Sequence, residues 1–136
     1  MPTSADATSG VVTRYLDLGL RLGRLLDGLV DAYYGPPPLA QRVEDEPPRP
    51  AASLVGDARR LVADLDAGDD DDPPLTAARR AWLRAQAVGL HATARRLAGE
   101  DIGYADEVEA CYGVRPTRVA DYAVSAAHPA LDEVLP

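Results

Sequence analysis

Arg80, Arg84, His91 and Arg95 are the residues of this 136-residue chain whose types and spacing come nearest to a binding site. On a helix the three arginines fall within about 40° of His91. Guanidinium forks along one face suit a carboxylate or a phosphate, because each gives two parallel N–H bonds. The same charges repel a metal cation and disfavour a protonated imidazole. "HATAR" is also not the H-E-x-x-H of a zinc helix. The stripe is therefore read as a small-anion site, with an exposed polar face paired to nearby acids as the plainer alternative.

Tyr33 and Tyr34 form the second candidate, as a ligand or interface pair in "DAYYGPPPLAQ". Asp27 and Asp31, four apart, could share a proton or help to hold a divalent cation if they lie on one helix. Arg21 and Arg24 beside them favour ordinary ion pairs on a solvated face. "GEDIGYADEVEACYG" carries five acids but not the ligand order of an EF-hand. Cys111 shares a wheel face with Tyr104, Val108 and Tyr112, so it is read as a buried, inert thiol. His128 has no partner at catalytic spacing, and "DDDD" at 69–72 reads as a solvated linker. No catalytic residue, no metal ligand set and no cofactor site is expected in this chain, which on its own is not read as an enzyme.

Composition narrows the classes. The chain is 46% hydrophobic with no Phe and one Trp, so its core must rest on Leu, Val, Ala and Tyr. Leu and Ala favour helix, and strand-forming residues are few. A net charge of −8 argues against nucleic acid or an anionic membrane as partner. No apolar run reaches membrane-spanning length, and the N-terminus lacks the basic flank and apolar stretch of a secretory signal. A cytoplasmic protein is expected, and a single cysteine excludes an internal disulfide.

The elements that must position these residues are helices. A long first helix is predicted from about residue 9 or 10 to Tyr34, with Tyr15, Leu18, Leu22, Leu25, Leu26, Leu29 and Tyr33 on one face. Arg14, Asp17, Arg21, Arg24 and Asp31 make the narrow polar stripe opposite. Gly19 and Gly23 would allow a close helix crossing. Gly35 and three prolines end the helix. A short helix follows in "PLAQRVEDE", then one over about 52–67 burying Leu54, Ala58, Leu61, Val62 and Leu65. A fourth runs over about 75–97, with Asp72 as N-cap, Pro73 at the first position and Gly99 as C-cap. It carries Trp82 on a face with Leu75, Ala78, Gln86, Gly89 and Thr93. A fifth covers about 103–112, and Pro129 kinks or splits a weaker helical tail. The expected architecture is an all-α array or bundle of four to five helices with proline-rich corners. Residues 1–9 are a flexible tail and 10–136 a single helical domain, which also reads as the N-terminal part of a larger helical protein.

Three runs together carry a resemblance: "YLDLGLRLGRLLDGLVDAYYGPPPLA", "RRAWLRAQAVGLHATARRLAGEDIGYADEVEACYGVRP" and "AAHPALDEVLP". They resemble the N-terminal helical region of a largely uncharacterised actinobacterial family described as zinc metallopeptidases, with a cleft-shaped helical fold like the helical oligopeptidases. The resemblance covers the chain from about Tyr15 onward. It implies that these helices form one wall or lid of a substrate cleft. The family's zinc-binding His-Glu…His motif lies downstream of this region and has no match here, so no catalytic or metal residue carries over. Pro129 departs from the continuous helix that the resemblance implies.

Three functions follow as expectations. The first is a non-catalytic segment resembling that cleft wall, lacking the zinc motif. The second is a free-standing interaction or self-associating module, whose partner is a second copy or another protein bound through apolar helix faces. The third is a small anionic-ligand binder using the arginine stripe. The first expects exposed apolar surface on the first helix, so that Leu22→Glu with Leu29→Glu would improve the solubility of the isolated chain, whereas unfolding would mean that those leucines are core.

Overall fold

Leu and Ala dominate the apolar residues, and the backbone they favour is the one the chain adopts. The computed structural model describes residues 10–68 and 75–135. It has α1 (Val11–Gly23), α2 (Pro37–Asp45), α3 (Ala51–Ala67), α4 (Ala77–Leu97), α5 (Tyr104–Tyr112) and α6 (Asp121–Asp132), with no strand among the described residues. The fold is an all-α array. The 1–9 tail and the Asp72 and Pro73 start of helix four lie outside the described residues. Within them, Thr76 caps α4, its hydroxyl accepting from the Arg79 N–H at 3.2 Å.

The core lies between α1, α3 and α4. Leu18 and Leu22 from α1 meet Leu54, Ala58, Leu61 and Leu65 from α3, and Leu83, Ala87 and Ala94 from α4. The expected α3 face is the buried one, with Val62 packed at its edge. On α4 the inward row is Leu83, Ala87, Leu90, Ala94 and Leu97, one residue on from the row through Trp82. Trp82 sits at the rim, where Tyr15 meets it edge-on at 6.1 Å and Arg79 lies 5.6 Å over its ring. A large ring with a polar N–H is more cheaply placed at a rim than in a core filled by leucine and alanine. The far end of α4 closes as expected: the Gly99 N–H bonds to the Arg96 carbonyl and the Glu100 N–H to that of Arg95, a Schellman arrangement.

The first helix is shorter than the periodicity predicts. α1 stops at Gly23, and the Leu25 and Leu26 N–H groups both turn back to the Leu22 carbonyl at 2.9 Å. Gly28 takes φ +79°, a conformation that would be strained for any side chain with a Cβ. Val30 folds back so closely that a Cβ on Gly23 would lie 3.1 Å from its methyl. Gly23 thus receives a loop residue instead of a helix, and Gly19 has nothing within 4 Å. Leu25 and Leu29 still reach the core, but from a folded connection. Asp27 and Asp31 consequently do not share a helix face.

α2 packs on α1, and α5 packs on α4. The α4–α5 crossing is tight: a Cβ on Gly89 would lie 3.5 Å from the Cys111 Cα and 3.6 Å from the Ala110 carbonyl. That approach uses the small residues of α5 and turns Tyr104 and Tyr112 outward, against the expectation that they are buried. Cys111 is likewise exposed, not core. The C-terminal helix passes through Pro129 without a break, so the proline does not split it.

Leu22 is fully enclosed, with 0% exposure, so the idea that helix one faces outward is overturned at that position. A glutamate there would unfold the chain. The graded test is Leu22→Ala, which should cost about 2–5 kcal/mol in urea unfolding through the cavity it leaves. A loss too small to measure would contradict this core.

Candidate functional site

The α4 stripe exists as a helix face, but its charges are matched within the chain. Arg84 reaches back to α3, where its Nε and Nη2 donate to the two oxygens of Asp66, the second at 3.2 Å. That pairing lowers the Asp66 pKa and raises that of Arg84. Arg95 Nε donates to Glu100 at 2.7 Å beyond the end of its own helix. Arg96, its neighbour, bonds Glu107 of α5 at 2.7 Å. Arg80 is half-buried at the α4 start. These pairs tie α3, α4 and α5 together, and an anion on the stripe would have to displace Asp66 and Glu100.

His91 is the partly buried member of the stripe. Its Nε2 is enclosed without a hydrogen-bond partner among the described residues. Burial first, then Arg95 and the α3 residue Arg59, push its pKa below 6.5, against a smaller opposing pull from Glu100. A ring held neutral beside two guanidinium groups is a poor place for a divalent cation. Among the described residues no group of three or more His, Cys, Asp and Glu side chains could hold a metal ion. The zinc of the family that the quoted runs resemble does not fit the residues present here.

Tyr33 and Tyr34 serve different surroundings. The Tyr33 hydroxyl donates to the Pro36 carbonyl at 3.0 Å. Its ring covers Gly35 so closely that a Cβ there would lie 2.5 Å from the hydroxyl end, and a larger residue would have to push that ring aside. Tyr34 is 95% exposed. The corner therefore folds on itself and leaves one aromatic ring in solvent.

The polar arrangement that the sequence reading missed lies on α1. Asp17 and Arg21, expected in a solvated stripe, are 2% and 7% exposed. Arg42 of α2 donates to Asp17 at 2.6 Å, and Arg21 forms a two-point bond to Glu46 at 2.6 and 3.2 Å. Arg24 donates to the Val43 and Glu46 carbonyls at 2.8 and 2.6 Å, satisfying the α2 C-terminus. Arg49 bridges on to Asp57 of α3 at 3.5 Å. The legible signal was complementarity: a D…R pair four apart in α1 and an R…E pair four apart around α2. This cluster can bind, orient and hold charge, but each acid faces a guanidinium and is poorly placed to move protons.

The remaining feature is apolar. Of the thirteen large hydrophobic residues exposed among the described residues, nine fall between Tyr104 and Leu135. α6 packs on no other helix among the described residues, and every residue of it is exposed. Local spacing shows a weak helical tail here but not whether anything covers it. Cys111, at the end of α5, is exposed as a residue, yet partial burial of its sulfur and then Glu107 raise the thiol pKa, against a hydrogen bond with Thr93 that lowers it.

Two measurements follow. Asp17→Ala should lose about 1.5–3 kcal/mol, the worth of a charge-assisted bond, because the half-exposed Arg42 can turn into water. A double-mutant cycle with Arg42→Ala should recover much of that loss, and strictly additive losses would show that the pair is uncoupled. For His91 the folded pKa lies below the unfolded one, so the unfolded chain takes up the proton first. Stability is then full above about 6.5 and falls as pH drops through and below that value. His91→Gln should flatten this part of the pH profile of thermal unfolding, and an unchanged slope would contradict the assignment.

Compared with known proteins, the chain is matched by no family model, no curated protein and no solved structure.

Proposed function

We propose that this chain is a non-catalytic helical docking unit: a closed body, α1 to α5, that carries α6 as an adhesive arm for another protein surface. The observation that carries the reading is α6 itself. Twelve residues with a proline inside are too few for a stable helix in water without a covering surface. Val124, Leu131, Val134 and Leu135 all stand exposed on or beside it. The resemblance of the quoted runs to a metallopeptidase cleft wall gives the reading a concrete form. The partner surface would then be a larger helical body that brings its own zinc and catalytic groups.

The arginine stripe supports anion binding less well, because Asp66 and Glu100 already neutralise Arg84 and Arg95. The test is binding of an environment-sensitive hydrophobic dye to the dilute chain. Leu131→Glu should abolish most of the dye signal while cooperative unfolding of the body stays unchanged. Dye binding that survives this substitution, or a body that unfolds because of it, would overturn the docking reading.

A further inference from the structure

We infer that α2 is a charge-latched strap: it releases from α1 as one unit while α1, α3 and α4 stay folded, and ionic strength sets how often it does so. The inference does not depend on what α6 meets. α2 packs on α1 and on no other helix among the described residues. Val43 is its one buried residue, with Leu39 and Ala40 half-buried beside it. Val43 stands apart from the leucine core between α1, α3 and α4. Nine residues are too few to hold a helix in water without a covering surface. What holds this one, beyond Val43, is charge.

Arg42 donates to the buried Asp17 at 2.6 Å, Arg21 grips Glu46 through two bonds, and Arg24 holds the Val43 and Glu46 carbonyls. α1 with its cap carries Arg14, Arg21 and Arg24 against Asp17, a net +2. α2 with its cap carries Glu44, Asp45 and Glu46 against Arg42, a net −2. Even with Arg14 bonded to Asp64 of α3, the two sides remain opposite in sign. Asp27 and Asp31 lie exposed on the connection. Attraction between α1 and α2 weakens as salt screens it. Lifting α2 strands neither Asp17 nor Arg21, because water enters where the helix lay. A helix seated on leucine has no such compensation, so α2 opens more readily than α1, α3 or α4. The strap has a fixed point at each end. One is the Tyr33 hydroxyl bond to the Pro36 carbonyl. The other follows Pro47 and Pro48, where Arg49 bonds Asp57 of α3 at 3.5 Å.

The experiment is amide hydrogen exchange of the dilute full chain, read residue by residue by NMR. The amides from Gln41 to Glu46 should share one opening, at least about ten-fold more frequent than that of α3 and α4. Low concentrations of urea separate the two, because the urea dependence of an opening scales with the surface it exposes. Exchange in α3 and α4 should rise steeply with urea, and exchange in α2 hardly at all. Raising KCl from about 0.01 M to about 1 M shortens the screening length from about 30 Å to about 3 Å and should speed α2 exchange roughly five-fold. Arg42→Ala, which removes the bond to Asp17, should speed it about ten-fold while the body stays folded. Exchange of α2 at the α3 rate with the α3 urea dependence overturns the proposal, as does an α2 rate that neither salt nor Arg42→Ala changes. An Arg42→Ala chain whose α3 and α4 no longer fold also overturns it, because release of the strap would then be loss of the body.

Discussion

Asp17 and Arg21 are two charges that the first helix carries into the interior, and the position of everything N-terminal to α3 depends on them. A buried carboxylate or guanidinium without a partner costs several kcal/mol, on the order of the whole stability of a small domain. Arg42 and Glu46 answer them one for one. α2 must therefore lie beside α1, and the chain between them must return instead of continuing outward. The early stop at Gly23, the turn at Gly28 and the Tyr33 ring folded over Gly35 are the means of that return. The corner that looks built for a ligand is thus the hinge of a charge clamp. Arg24 strengthens it by holding the last carbonyls of α2.

Around this clamp the helices divide the work by chemistry. α1, α3 and α4 bury leucine and alanine against one another, and α5 joins through the small residues that face Gly89. Salt bridges stitch the outer faces, as with Arg14 to Asp64 and Arg115 to Asp106 and Glu109. Exposed pairs of this kind add little stability individually, but they fix which faces meet. The arginine stripe of α4 belongs to this stitching. Its composition resembles that of a binding site because guanidinium groups recognise a protein's own carboxylates by the same geometry as a ligand's.

Helix content and the inward face of α3 were legible from spacing alone, as was the Gly99 end of α4, because they rest on local rules. The length of α1 was not: Leu25, Leu26 and Leu29 continue its apolar period, and only the tertiary demand for α2 breaks it. Nor was the burial of Asp17 and Arg21, since a polar stripe opposite an apolar one reads as solvent-facing until the complementary pair on another helix is considered. α5 was misjudged because aromatic residues mark a core by habit, whereas here the closeness of the crossing at Gly89 decides the rotation. For α6 a weak helical tail was legible but its exposure was not, because local spacing never shows what lies against a helix.

The central claim is a closed body with one uncovered arm, and amide hydrogen exchange on the dilute chain tests it most directly. The account expects α3 and α4 to exchange only through global unfolding, while α6 exchanges close to the rate of an unprotected peptide. Protection of α6 equal to that of α3 in a dilute monomer would contradict it, because the arm would then already be packed against its own body.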